Sequence, residues 1–179
     1  MVETAVRAPA GVLARLDGSG VPLLAARLVV GITFVVMGWH KWSDPVAFLK
    51  ALREYDMFPP GQPWLMNATA AALPVAEMLC GALLLAGVAV RGASLFLLAL
   101  MAAFTAAIAL RAAALAAAGG APLCDIAFDC GCGGGVVNAC DKLAQNGALL
   151  VLCAVALASR SRRWCLRRNL LPADAGRPR

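Results

Sequence analysis

The residues best equipped for chemistry lie in one loop, L-C-D-I-A-F-D-C-G-C-G-G-G-V-V-N-A-C (Leu123–Cys140). It holds four of the seven cysteines: Cys124, Cys130, Cys132 and Cys140. Cys130 and Cys132 form a C-x-C. A disulfide across one residue closes a small ring that departs from relaxed geometry, and strained, exposed disulfides are the labile, more oxidising ones. Gly131, Gly133, Gly134 and Gly135 let the backbone accommodate such a ring and let a partner approach. The favoured reading is a redox pair that exchanges with an extracytoplasmic thiol protein. The other readings are structural disulfides that staple the loop and, last, a metal site. No metal is expected, because C-x5-C-x-C-x7-C lacks the C-x2-4-C knuckle. Four cysteines allow three pairings. Cys124 and Cys140 are therefore read as a second pair, either a shuttle or a structural disulfide, and crosswise pairing stays open.

Four further polar residues lie within or beside apolar runs. Glu77 sits near the middle of one run, where a lone carboxylate must face protein and be paired or protonated. Arg27 lies at a compatible depth if the helices run antiparallel, so a buried Arg27–Glu77 pair that fixes packing is favoured over a proton- or quinone-linked site. His40 and Lys41 follow the first run between Trp39 and Trp42 and read as an interfacial belt. His40, the single histidine, reads as an anchor more readily than as a proton relay. Cys80 and Cys153, inside apolar runs, read as small hydrophobes. Cys165 reads as a free thiol.

The elements that position these residues follow from composition and patterning. The chain has 179 residues, 61% hydrophobic and 15% charged, with mean hydropathy +0.78. Soluble domains carry roughly 45–50% apolar and about 25% charged residues, so the bilayer is the expected solvent. Four runs long enough for a ~30 Å hydrocarbon core are predicted as spans, at about 21–39, 65–90, 93–117 and 143–159. The fold class is all-α, an integral membrane four-helix bundle. Between the first two spans, Asp44-Pro45 starts an amphipathic helix that carries Val46, Phe48, Leu49 and Leu52 at helical spacing. Arg91-Gly92 is read as the tight turn between the second and third spans, and Gly119-Gly120 ends the third. The Cys loop occupies 119–142, and Val136-Val137 lends depth to a short fourth span.

Residues 1–20 are mixed, with a short interfacial helix expected over Gly11–Asp17 and no signal-peptide pattern. The tail 160–179 carries seven arginines against Asp174. That favours an anionic membrane surface, and no nucleic acid is expected as a partner. The distribution of basic residues predicts both termini in the cytoplasm and the Cys loop outside, where disulfides persist.

The run R-L-V-V-G-I-T-F-V-V-M-G-W-H-K-W-S-D-P-V-A-F (Arg27–Phe48) resembles the opening of DoxX-like membrane proteins. L-P-V-A-E-M-L-C-G-A-L-L-L-A-G (Leu73–Gly87) and D-C-G-C-G-G-G (Asp129–Gly135) narrow the resemblance to the methylamine-utilisation MauE branch. The likeness covers about residues 25–155. The chain departs from that pattern in having Gly133 where an aromatic is common, and Gln145-Asn146 where Arg-Asn is common. The resemblance implies a four-helix bundle in the bacterial inner membrane, associated with thiol–disulfide chemistry and with maturation of a disulfide-rich amine dehydrogenase. Its expected partners are the lipid bilayer and a periplasmic thioredoxin-like or client protein, or other membrane subunits. A quinone is the one cofactor class it suggests. The alternative function is a non-catalytic anchor or subunit of a quinone-linked respiratory or sulfur-oxidising complex, its cysteines forming structural disulfides.

Overall fold

Among the described residues, four helices are long and apolar enough to cross a membrane, and they assemble as the expected all-α bundle. The computed structural model describes residues 17–55, 58–59, 61–129, 131, 135–161 and 164–166. The helix expected over Gly11–Asp17, apart from Asp17, and most of the basic tail lie outside the described residues. Helix α1 is Val21–Ser43, α2 is Pro45–Glu54, α3 is Pro63–Ala86, α4 is Val90–Gly119 and α5 is Ala139–Ala158. Each long helix is apolar on its outward face as well as its inward one. Leu28, Ile32, Leu79, Leu95 and Val151, for example, are all exposed, the pattern of a helix whose solvent is lipid.

Helices α1 and α3 form the most extensive contact, α4 packs chiefly on α5, and α1 also touches α5. Small residues set the α1–α3 distance. A side chain on Gly31 would lie 2.7 Å from Leu85 Cγ, and one on Gly81 would lie 2.8 Å from the Gly31 carbonyl. Without a hydrophobic driving force in lipid, such close backbone approach is what holds two helices together. Around it lies a core of Leu23, Ala26, Val30, Phe34, Leu84, Leu97 and Leu149. Cys153 belongs to this core, with Cys80 and Cys165 packed against it. All three are free thiols.

Asp44 caps α2 as its sequence suggests, accepting from the Ala47 amide at 2.9 Å, and Pro45 occupies the first turn. α2 buries Phe48, Ala51 and Leu52, and Phe48 and Leu52 pack with Met66 and Ala70 of α3. Other boundaries differ from expectation. The turn between α3 and α4 is Gly87–Ala89, and Arg91 and Gly92 lie inside α4. Gly87 takes φ +70°, and the Val88 amide reaches back to the Leu83 carbonyl at 2.9 Å. This is a glycine-dependent helix stop that outweighs the more polar Arg-Gly pair. Val136 and Val137 do not extend the fourth span. They form strand β2 (Val136–Asn138), paired antiparallel with β1 (Ala127–Asp129), and α5 starts at Ala139 behind an Asn138 cap. The sequence reading had no strand here, since three residues are too few to show alternation.

Asp17 and the end of α5 meet at one end of the bundle. Asp17 accepts hydrogen bonds from the Ser159 hydroxyl and, at 3.0 Å, from the Arg160 amide. The cysteine loop and α2 lie at the other end.

Candidate functional site at the cysteine-loop end

Cys124 and Cys140 are joined in a disulfide. Cys124 lies in a 3-10 turn (Leu123–Asp125) and Cys140 in the first turn of α5. Asn138 reinforces the junction. Its side-chain oxygen accepts from the Cys140 amide at 2.9 Å, and its side-chain nitrogen donates to the Cys124 carbonyl. The Ala139 amide donates to the Ile126 carbonyl at 2.9 Å. The feet of the β1–β2 ribbon are thus tied covalently and by hydrogen bonds to the start of a membrane helix. Cys130 and Cys132, in the connection between the strands, lie outside the described residues.

Between those two cysteines in sequence, Gly131 rests on α2. Its φ is +67°, and a side chain there would lie 2.7 Å from Ala51 Cβ. Phe128 meets Tyr55 edge-on at 6.4 Å between ring centroids. The ribbon is therefore seated on α2, which in turn packs on α3.

Below this seat lies a buried ion pair that differs from the expected one. Lys41 Nζ donates to Glu77 Oε1 at 2.5 Å, with the two residues 5% and 1% exposed. The Lys41 ammonium also faces the rings of Phe104 at 4.8 Å and Phe48 at 5.2 Å, a favourable placement for a cation. Helices α1, α2, α3 and α4 thus each contribute one side chain. Lys41 is buried in the protein, although its Trp-rich surroundings suggest an interfacial side chain. The helix carries it inward on the stripe Val30, Phe34, Gly38, Lys41, while Trp39, His40 and Trp42 remain exposed. That three- and four-residue spacing was present in the sequence and could have identified it. Glu77 lies on the matching stripe of α3, Ala70, Pro74, Glu77, Gly81, Leu84.

Arg27 and Glu77 do not pair. With Gly31 against Gly81, the antiparallel register sets Arg27 level with Gly87, nearer the opposite end. Arg27 instead donates to the last-turn carbonyls of α3, Leu84 at 2.7 Å and Leu85 at 3.0 Å. It also reaches the Trp164 carbonyl at 2.9 Å and Cys165 Sγ at 3.2 Å. A cation at a helix C-terminus answers both the unpaired carbonyls and the negative end of the dipole.

Two cavities adjoin the ion pair. One, of about 260 Å³, opens at the loop end and is lined by His40, Lys41, Asp44, Phe48, Gly131 and Gly135. The other, of about 20 Å³, lies deeper, beside Glu77 and Asn146. Among the described residues no cluster of three potential metal ligands occurs.

A family model described as Methylamine utilisation protein MauE matches residues 19–159. No curated protein and no solved structure matches the chain. The matched stretch runs from just before α1 to just past α5, taking in the disulfide, the ribbon and the Lys41–Glu77 pair, and by that match the chain belongs to the methylamine utilisation protein MauE family.

Proposed function

We propose that this multi-pass membrane protein carries out thiol–disulfide exchange for an extracytoplasmic partner, with Cys130 and Cys132 as the exchanging pair. The observation that carries the reading is the Cys124–Cys140 disulfide. It uses two of the four loop cysteines at the base of the ribbon and leaves the C-x-C as the remaining pair. In the exchange a client thiolate attacks one sulfur of the Cys130–Cys132 disulfide. A mixed disulfide forms, and the second client thiolate resolves it. The client loses two electrons, and the loop pair gains them as two thiols. A membrane quinone is the class of acceptor that would reoxidise the pair.

The family description points to methylamine utilisation, so a disulfide-rich amine dehydrogenase is the client class we favour. A wider DoxX-like placement is supported by the likeness of the run Arg27–Phe48 alone. The arginine-rich tail supports an inner-membrane orientation with both termini cytoplasmic and the loop periplasmic.

The test is a thiol-alkylation mass count on protein in membranes, across a series of redox buffers. The Cys130–Cys132 pair should change state near the periplasmic thiol range while Cys124 and Cys140 stay oxidised. Cys132→Ser should abolish exchange without unfolding the bundle. Four cysteines that stay oxidised until strong reductant and heat are applied would make the loop a staple, and the protein an anchor or subunit.

A further inference from the structure

Glu77 is almost wholly buried, yet one of its two oxygens is unused. Oε1 takes the Lys41 ammonium, while Oε2 has no hydrogen-bond partner among the described residues. An ionised carboxylate offers about four acceptor positions, and leaving a buried one unmet is costly. Beside this residue lies the cavity of about 20 Å³, with Lys41 and Asn146 also in its wall. That is larger than the ~10–15 Å³ one water requires, and the wall supplies the two to four polar groups a water needs.

The position of this cavity gives it a direction. Lys41 and Gly131 line both it and the larger cavity at the loop end, so the lysine stands between Glu77 and solvent there. Toward the other end the wall is apolar, formed by Phe34 and Met101, and continues into the packed core around Val30 and Leu97. Among the described residues lining the two cavities, the titratable or charged groups are Lys41, His40 and Asp44 from α1 and its cap, and Glu77 from α3. The lining residues contributed by α2, α4 and α5 are not titratable.

We propose that the deeper cavity is a water site, and that through this water Glu77 exchanges its proton with solvent at the cysteine-loop end only. The step is balanced without a redox partner. A hydronium ion gives a proton to Glu77 Oε2 and leaves as water, and the carboxylate becomes a carboxylic acid beside the Lys41 ammonium. The inference does not depend on exchange at the loop cysteines.

The full chain, reconstituted in sealed vesicles sorted by orientation, tests this with a hydrophobic carbodiimide that modifies protonated carboxyl groups. Labelling at Glu77 is read by peptide mass spectrometry while pH is changed on one side and clamped on the other. Labelling should rise as pH falls on the loop side and ignore the opposite side. Asn146→Leu, which removes a polar wall group at similar volume, should lose that response while eluting as a folded protein. Labelling that follows the opposite side overturns the proposal, as does a Glu77 left unlabelled even in permeabilised vesicles at low pH. An Asn146→Leu variant that responds like the wild type removes the water site.

Discussion

Arg27 and Lys41 share one buried face of α1, and the two ends of the bundle treat them in opposite ways. Arg27 meets no carboxylate among the described residues. Its guanidinium is spread over three backbone carbonyls and a sulfur, at the spent end of α3 and beside the returning tail. The Leu84 and Leu85 carbonyls lie in the last turn, where intrahelical donors run out, and that of Leu84 also takes the Gly87 amide at 3.1 Å. Lys41 meets a carboxylate of which one oxygen is left over. The first arrangement is closed and explains itself as packing. The second is incomplete and lies below a cavity and a disulfide-tied ribbon. Two buried cations on one helix therefore separate by how fully their partners are satisfied, and the pair with the spare carboxylate oxygen marks the candidate site.

That contrast can be tested by removing the partner at each end. The largest effect should come from Glu77→Leu, which strands the Lys41 ammonium in apolar surroundings and should cost about 3–5 kcal/mol. Adding Lys41→Met should recover most of the loss, as read by denaturant unfolding in a fixed micelle. A double variant no more stable than Glu77→Leu would show that the ion pair is not the source of the cost. Next comes Cys124→Ser. It opens a loop with a sequence separation of 16, and should cost about 3 kcal/mol on loop-closure grounds. The loss should be confined to the ribbon, seen as faster amide exchange in β1 and β2 with α1 and α3 unchanged.

Arg27→Met should cost about 2 kcal/mol, because it removes charge-assisted hydrogen bonds but leaves no buried charge without a partner. A loss exceeding that of Glu77→Leu would reverse the contrast. The smallest change, Asn138→Ala, should cost about 1 kcal/mol by removing the α5 cap, and nuclear magnetic resonance should show fraying confined to the first turn of α5.

Much of the architecture was legible because the bilayer imposes a simple pattern. Apolar runs of about twenty residues can only be helices there, since backbone groups have no other partner. The Asp44-Pro45 start of α2 and the Gly120 stop of α4 were legible for a similar reason, as local chemistry that acts within a turn. The candidate site was legible in its members but not in its pairing. Glu77 stands out in the sequence as an intramembrane acid, whereas the Trp residues beside Lys41 suggest an interfacial side chain and give no hint that it is buried against Glu77. Aromatic neighbours in sequence point to different sides of a helix, so Trp39 and Trp42 say little about where Lys41 faces.

The sequence by itself determined the number of spans, the α2 helix and the placement of a four-cysteine loop between the last two spans. These depend on hydrophobic length and on capping groups a few residues apart. The tertiary structure alone decided that Glu77 takes Lys41 and not Arg27, that Cys124 takes Cys140, and that the loop folds as a ribbon seated on α2. Each of these depends on the register between helices distant in sequence. Close contact at Gly31 and Gly81 sets that register for α1 and α3, and moving one helix by a turn, about 5.4 Å, would offer Arg27, Lys41 and Glu77 different partners.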